Sequence, residues 1–79
     1  MKVIFEDIQD VYTFSKGIEY YDGEIDVRQG RHVTNARSFL GMCSLDLNNP
    51  IDITINTDNK ENESNFYKYL KKWEIKDND

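Results

Sequence analysis

The one histidine of the chain, His32, is the side chain with the widest chemical range, because an imidazole can attack a phosphoryl group, move a proton or bind a metal. No nucleophilic or metal-ligand grouping accompanies it in the sequence, so we expect a half-exposed histidine in a strand. The single cysteine, Cys43, cannot form an intramolecular disulfide, and its apolar helical surroundings predict a small packed side chain. Its isolation is typical of a protein of the reducing cytosol.

Two oxygen-bearing side chains stand where helices are predicted to begin. Ser38 can accept hydrogen bonds from the amides of Leu40 or Gly41, and Asp7 or Asp10 can do the same for the first helix. The sequence contains no Ser-His or Cys-His pairing signature, no phosphate-binding glycine loop and no metal motif. We therefore expect a protein that is not an enzyme and that has no catalytic residues, no metal site and no cofactor.

The first part of the chain predicts a strand and then a helix. Lys2 to Glu6 is the strand. Apolar side chains then recur at spacings of three, four and three, which places them on one face of a helix of about three turns: Val11, Phe14, Ile18 and Tyr21. Gly17 is the weak point of this helix, because an interior glycine costs about 1 kcal/mol relative to alanine.

The middle of the chain predicts a hairpin. After the turn signal Asp22-Gly23, Ile25 and Val27 alternate with charged residues, as in a strand with one buried face. Gln29-Gly30-Arg31 then turns the chain into a second strand that runs through Val33.

A short helix and an alternating strand follow the hairpin. The helix is predicted from Phe39 to Leu45, and Asn48-Asn49-Pro50 ends it, because the residue before proline is pushed out of the helical region. Ile51, Ile53 and Ile55 alternate with polar residues and predict the last strand.

The final helix has both a start signal and an apolar stripe. Asp58 with Glu61 three residues later predicts a capping box. The apolar stripe consists of Phe66, Tyr69, Leu70 and Trp73. Lysines on the opposite side predict a solvated face: Lys68, Lys71, Lys72 and Lys76. The polar tail after Ile75 is expected to fray.

The predicted order is strand, helix, strand, strand, helix, strand, helix in one domain spanning residues 1–79. Strands with one apolar face and amphipathic helices can bury these faces when the helices pack on one side of a sheet. The hairpin of the middle strands favours an antiparallel sheet, so the predicted fold class is α+β. The formal net charge of -5 argues against a nucleic-acid partner. The N-terminal apolar run is too short for a signal peptide or a membrane span, so we expect no membrane insertion and a cytoplasmic location.

The window from Thr34 to Ile55 resembles the HPr family, the histidine-containing phosphocarriers of the bacterial sugar phosphotransferase system. That family typically has Val-Asn-x-Lys-Ser-Ile-Met-Gly-x-Met-Ser-Leu here. The matching residues are Thr34, Asn35, Arg37, Ser38, Phe39, Leu40, Gly41, Cys43, Ser44 and Leu45. Asp58 and the stripe of the final helix match as well, and the first half matches less. The resemblance implies the open-faced sandwich, βαββαβα, with four antiparallel strands and three helices on one face.

The family's phosphoacceptor histidine is absent. In HPr proteins it stands in a Gly-x-His-Ala-Arg-Pro stretch at the start of the first helix, and the comparison places Asp7 at the histidine and Gln9 at the arginine. The resemblance therefore implies a divergent member that has lost histidine phosphotransfer. Asp7 has two interpretations: a helix cap, or a carboxylate that imitates the charged state or accepts a phosphoryl group itself.

By resemblance, Ser38 aligns with the serine that a dedicated kinase phosphorylates in many HPr proteins. A phosphate there would meet helix amides, and Arg37 is adjacent. In the family the exposed part of this helix binds enzyme I, sugar permease domains and transcriptional regulators. The corresponding candidates are Phe39, Leu40, Met42 and Leu47, which either form an exposed docking patch or pack into the core.

The predicted function is that of a regulatory HPr homologue that binds a protein partner, either a phosphotransferase-system component or a transcriptional regulator. The alternative is an HPr-fold domain with an unrelated protein-binding role. These two candidate functions differ only in the partner that the protein surface binds, and the sequence does not identify that partner.

Overall fold

The computed structural model describes residues 1–75, so the predicted fraying after Ile75 and the position of Lys76 lie outside the described residues. Four strands form one antiparallel sheet in the order β1-β4-β2-β3. The strands are β1 (Lys2–Val3), β2 (Glu24–Gln29), β3 (His32–Asn35) and β4 (Ile51–Asn56). The helices are α1 (Ile8–Gly17), α2 (Phe39–Cys43) and α3 (Lys60–Leu70). The predicted α+β open-faced sandwich is confirmed.

The central strand pair fixes which face of the sheet is covered. β2 pairs with β4 so that Ile25 lies opposite Ile55 and Val27 opposite Ile53. All four side chains are buried, while their neighbours along each strand are more exposed. Because side chains alternate between the two faces of a sheet, this register gives one apolar face beneath the helices and one polar open face.

The helices contribute an aromatic cluster to the core. Trp73, in the 3₁₀ turn Lys71–Trp73 that extends α3, has its ring centroid 5.3 Å from Phe5 and 5.9 Å from Phe14. Phe66 and Leu70 of α3 are fully buried beside it. The apolar stripe predicted for the final helix therefore packs inward, and of the predicted solvated lysines Lys68, Lys71 and Lys72 are exposed.

Gly17 allows α1 and α3 to pack closely. A methyl group on Gly17 would overlap the phenol of Tyr69, whose hydroxyl donates a 2.9 Å hydrogen bond to the carbonyl oxygen of Thr13. Gly17, which the sequence predicted to be a weak point of the helix, thus leaves room for the Tyr69 side chain. Val11 and Phe14 of α1 are buried as predicted, and so is Ile18, which lies in the 3₁₀ turn Ile18–Tyr20 after the helix. Tyr21 was predicted on the same helical face, but it has an extended backbone and is partly buried.

Several element ends differ from the predictions. β1 ends at Val3 rather than Glu6, and Ile4 donates a 3.0 Å backbone hydrogen bond to Trp73 instead of pairing with β4. α2 ends at Cys43 rather than Leu45. The cap of α3 is Asn59 rather than Asp58, because the Asn59 side chain accepts from the amide of Asn62 at 3.0 Å.

Candidate functional site

The short helix α2 is held against the sheet by a cap at its start and a glycine in its middle. Ser38 is the N-cap, and its hydroxyl oxygen accepts a 3.2 Å hydrogen bond from the amide of Gly41. A methyl group at Gly41 would overlap the hydroxyl of Thr34, so only glycine allows α2 to lie this close to β3. The predicted cap at Ser38 is confirmed.

The apolar residues of α2 divide between the core and the solvent. Phe39 is 41% exposed and Leu40 84% exposed, whereas Met42 is fully buried. Leu47 is partly buried and packs against the core. The exposed-patch interpretation therefore holds for Phe39 and Leu40, and it is wrong for Met42, which cannot contact a partner while the fold is intact.

Cys43 is exposed, so the prediction of a packed cysteine is wrong. Successive residues of a helix point about 100° apart, and Met42 is the buried residue of α2. This orientation of Met42 turns Cys43 toward solvent.

A groove of about 330 Å³ runs between the first and second helices. Phe39 of α2 and Tyr12 of α1 line it, with Ile18 and Ala36 as its apolar floor. Tyr12 is 50% exposed. The sequence analysis did not single out Tyr12, although an aromatic side chain on the polar side of an amphipathic helix was a signal available in the sequence.

Two charged side chains of α1 and of the 3₁₀ turn after it also line this groove. Lys16 places its ammonium group 5.6 Å from the centre of the Tyr12 ring, and Glu19 follows in the turn Ile18–Tyr20. Lys16 lies in the last turn of α1, where a cation interacts favourably with the negative end of the helix dipole.

Arg37 lies at the groove, but its guanidinium group is already bound. It donates to the carbonyl oxygens of Ile18 at 3.2 Å, Tyr21 at 2.6 Å and Gly23 at 3.1 Å. These contacts tie the end of α1 and the following turn to the segment that precedes α2. Arg37 is exposed and its guanidinium has five N–H donors, so its role beside a phosphate on Ser38 or a docked partner stays a prediction.

Asp7 is an exposed residue that caps α1. Its carboxylate accepts from the amide of Asp10 at 3.2 Å, while the Asp10 carboxylate accepts from the amide of Glu6 at 2.9 Å. The capping interpretation is confirmed. Whether Asp7 also imitates a charged state stays a prediction.

His32 and Ser44 form a hydrogen-bonded pair that the sequence analysis missed, because twelve residues separate them. The imidazole Nε2 lies 3.0 Å from the hydroxyl of Ser44, and that hydroxyl donates a 2.6 Å hydrogen bond to the carbonyl oxygen of Gly41. The hydroxyl hydrogen is therefore committed to Gly41, which makes the imidazole the donor to Ser44. This arrangement anchors the end of α2 to β3 and does not activate a nucleophile.

The pKa of Tyr69 is raised above its ordinary value, first by burial of the phenol and then by the nearby Tyr21. This pair lies on the packed side of α1, where the ring centroids are 5.7 Å apart. Among residues 1–75, no group of three or more His, Cys, Asp or Glu side chains is placed to hold a metal ion. None of the helices in that part of the chain has the length and apolar character needed to cross a membrane.

No protein-family model, curated protein or solved structure matches this chain.

Proposed function

We propose that this chain is an HPr-like protein related to the bacterial sugar phosphotransferase system, which lacks the phosphoacceptor histidine and regulates a protein partner by binding it in the cytoplasm. The docking surface consists of Tyr12, Phe39 and Leu40. The partner belongs to the phosphotransferase system or is a transcriptional regulator. Neither catalysis nor a cofactor is part of this proposal.

The exposure of Leu40 is the observation that carries the proposal. The Leu40 side chain is 84% exposed, so it contributes little to the core. Phe39, its neighbour in α2, is 41% exposed, and Tyr12, which lines the groove together with Phe39, is 50% exposed. Adjacent exposed apolar and aromatic side chains of this kind are typical of a protein-binding surface. The groove between α1 and α2 offers a concave site for an apolar side chain of the partner.

The partner class rests on the resemblance of residues 34–45 to the HPr family. The exposed residues of α2 fall within that resemblance, as does the cap Ser38. Phosphorylation of Ser38 would place a negative charge at the start of α2 and next to Phe39, where it would change the affinity of any docked partner. Arg37, the residue before Ser38, already donates to three carbonyl oxygens, which leaves two of its five N–H donors for such a phosphate.

The test is the affinity for a partner recovered by pull-down from bacterial cytosol. We expect Leu40→Ala to weaken binding at least about fivefold, since a central apolar contact commonly contributes about 1 kcal/mol or more. Ser38→Asp should change the affinity while altering the free energy of unfolding by less than about 1 kcal/mol. Val33→Ser is the matched control, because Val33 is 51% exposed but lies in β3 outside the docking surface.

If Leu40→Ala and Ser38→Asp both leave the affinity unchanged in a folded protein, α2 is not the docking surface. The identity of the recovered partner then separates the two candidate functions. A phosphotransferase-system component or a transcriptional regulator supports the HPr-like role, and any other protein supports the alternative of an unrelated binding role.

Loss of phosphotransfer can be tested separately. Incubated with enzyme I and phosphoenolpyruvate, the protein should acquire no acid-labile, base-stable phosphoryl group, because Asp7 stands where the family has histidine. His32 donates to Ser44 and is part of the α2 anchor. Stoichiometric labelling of His32 would contradict the proposal.

A further inference from the structure

We infer that residues 19–23, the strap, open and close as one unit that the side chains of Arg37 and Asn62 hold closed together. The strap lies between α1 and β2, Arg37 precedes α2, and Asn62 lies in the first turn of α3. Loss of either side chain opens the strap and releases the other side chain. The strap thus couples the start of α2 to the start of α3, whether or not α2 binds a partner.

One peptide unit, between Tyr21 and Asp22, connects the two side chains. Its carbonyl oxygen accepts a 2.6 Å hydrogen bond from Arg37 Nη2, and its N–H, that of Asp22, donates to Asn62 Oδ1 at 3.1 Å. Asn62 Nδ2 donates in turn to the Asp22 carbonyl oxygen at 2.7 Å. Because a charged donor at the carbonyl polarises the peptide and makes its N–H a better donor, these hydrogen bonds strengthen one another.

The strap depends on these two side chains for its contacts with distant parts of the chain. Within residues 1–75, all side-chain hydrogen bonds to the strap backbone come from Arg37 and Asn62. Four of the five strap residues are exposed, and the fifth, Tyr21, packs its ring against Phe66 of α3. A segment with so few buried contacts opens more easily than the sheet does.

A second loop contains a similar contact without the arginine. Gln29 donates to the carbonyl oxygen of Asp46 at 2.7 Å and accepts from the Asp46 amide at 2.8 Å, as Asn62 does with Asp22. No arginine or lysine within residues 1–75 donates to the backbone of this loop. Gln29→Ala is therefore the matched control, since it removes an amide contact of the same kind from a loop that has no second charged side chain to release.

The experiment is native-state amide hydrogen exchange on the whole isotope-labelled chain, followed by NMR. The reporter is the Tyr21 amide, which donates to the carbonyl oxygen of Ile18 at 3.1 Å and not to either side chain. We expect Arg37→Lys and Asn62→Ala each to raise its exchange rate about tenfold or more, because each change opens the strap. Arg37→Lys should also speed exchange of the Asp22 amide, although its acceptor Asn62 is still present.

The double variant distinguishes one closed unit from two independent contacts. In Arg37→Lys/Asn62→Ala the Tyr21 amide should exchange no more than about threefold faster than in the faster single variant, because the strap is already open. Gln29→Ala should speed exchange of the Asp46 amide and leave that of Tyr21 within about twofold of the original, whereas a general loss of stability would raise both. Circular dichroism confirms that each variant is folded.

Two results would overturn the inference. A further increase of more than about threefold in the double variant would mean that Arg37 and Asn62 act independently. A Tyr21 amide whose exchange either single variant leaves unchanged would mean that the strap does not open as one unit.

Discussion

The final helix and the short middle helix use apolar residues in opposite ways. α3 with its 3₁₀ extension is long enough for Phe66, Leu70 and Trp73 to recur on one side, and all three are buried. α2 has five residues and turns only Met42 fully inward, leaving Phe39 and Leu40 in solvent. The final helix thus stabilises the fold by burying its apolar residues, whereas α2 leaves two apolar side chains exposed on the surface.

The largest effect on stability is expected for a buried residue in the 3₁₀ extension of α3. Trp73→Ala should lower the free energy of unfolding by about 3 to 5 kcal/mol, because it removes the ring that contacts Phe5, Phe14 and Tyr69. Leu40→Ala is the control on the exposed helix and should change stability by less than about 0.5 kcal/mol. Urea denaturation measures the free energy of unfolding of both variants, provided that the m-value is unchanged. Equal urea midpoints for Trp73→Ala and Leu40→Ala would contradict the difference in burial between the two helices.

The next effect concerns the close contact between α1 and α3. Gly17→Ala should destabilise the protein by about 1 to 3 kcal/mol, because the added methyl group overlaps the Tyr69 phenol, even though alanine favours the helix by up to about 1 kcal/mol. In a Tyr69→Ala background the same change should be neutral or stabilising. A double-mutant cycle without coupling between the two sites would contradict this packing.

A smaller effect is expected at Arg37, which connects the segment before α2 to the chain that follows α1. Arg37→Lys keeps the charge but replaces two separate donor nitrogens, Nη1 toward Ile18 and Nη2 toward Tyr21 and Gly23, by one ammonium nitrogen, so we expect a loss of about 1 to 2 kcal/mol. Arg28→Lys on the open face of the sheet is the matched control and should cost less than about 0.5 kcal/mol. If Arg37→Lys lowers the free energy of unfolding no more than Arg28→Lys does, the Arg37 guanidinium does not stabilise the turn that follows α1.

The smallest effect is the pH dependence of α3 docking. Because the pKa of Tyr69 is higher in the folded protein, the unfolded chain loses this proton first as pH rises. The contribution of Tyr69 is therefore fully present below about pH 10 and decreases as the pH rises through the folded pKa. Tyr69→Phe should make the decline of stability above about pH 10 shallower, whereas Tyr20→Phe, at an 87% exposed position, should leave it unchanged. Chemical denaturation at a series of pH values measures the difference.

Local patterns in the sequence were sufficient for the fold and for part of the site. Alternation in Ile51, Ile53 and Ile55 and the helical spacing of Phe66, Leu70 and Trp73 predicted both element type and buried face. Ser38 was correctly predicted as a cap because capping depends on residues within one turn. The resemblance to the HPr family, by contrast, stays a prediction about function.

The interpretation of single side chains was less successful where the partners are distant in sequence. The hydrogen bond from Arg37 to a carbonyl oxygen nineteen residues away, at Ile18, was not predicted. Cys43 was expected inside and is exposed, because the register of a very short helix is set by the sheet beneath it. Tyr12 is a candidate docking residue because it lines the same groove as Phe39, and this depends on the packing of α1 beside α2.

The sequence by itself determined the elements, the caps of α1 and α2 and the side of each long element that faces the core, since these follow from interactions within a few residues and from the burial of apolar stripes. Only the tertiary structure decided that Tyr69 reaches Thr13 across fifty-six positions, that His32 anchors Ser44, and that Leu40 is left exposed to solvent. Such contacts depend on how the elements are arranged on the sheet, and nothing in the spacing of neighbouring residues specifies that arrangement.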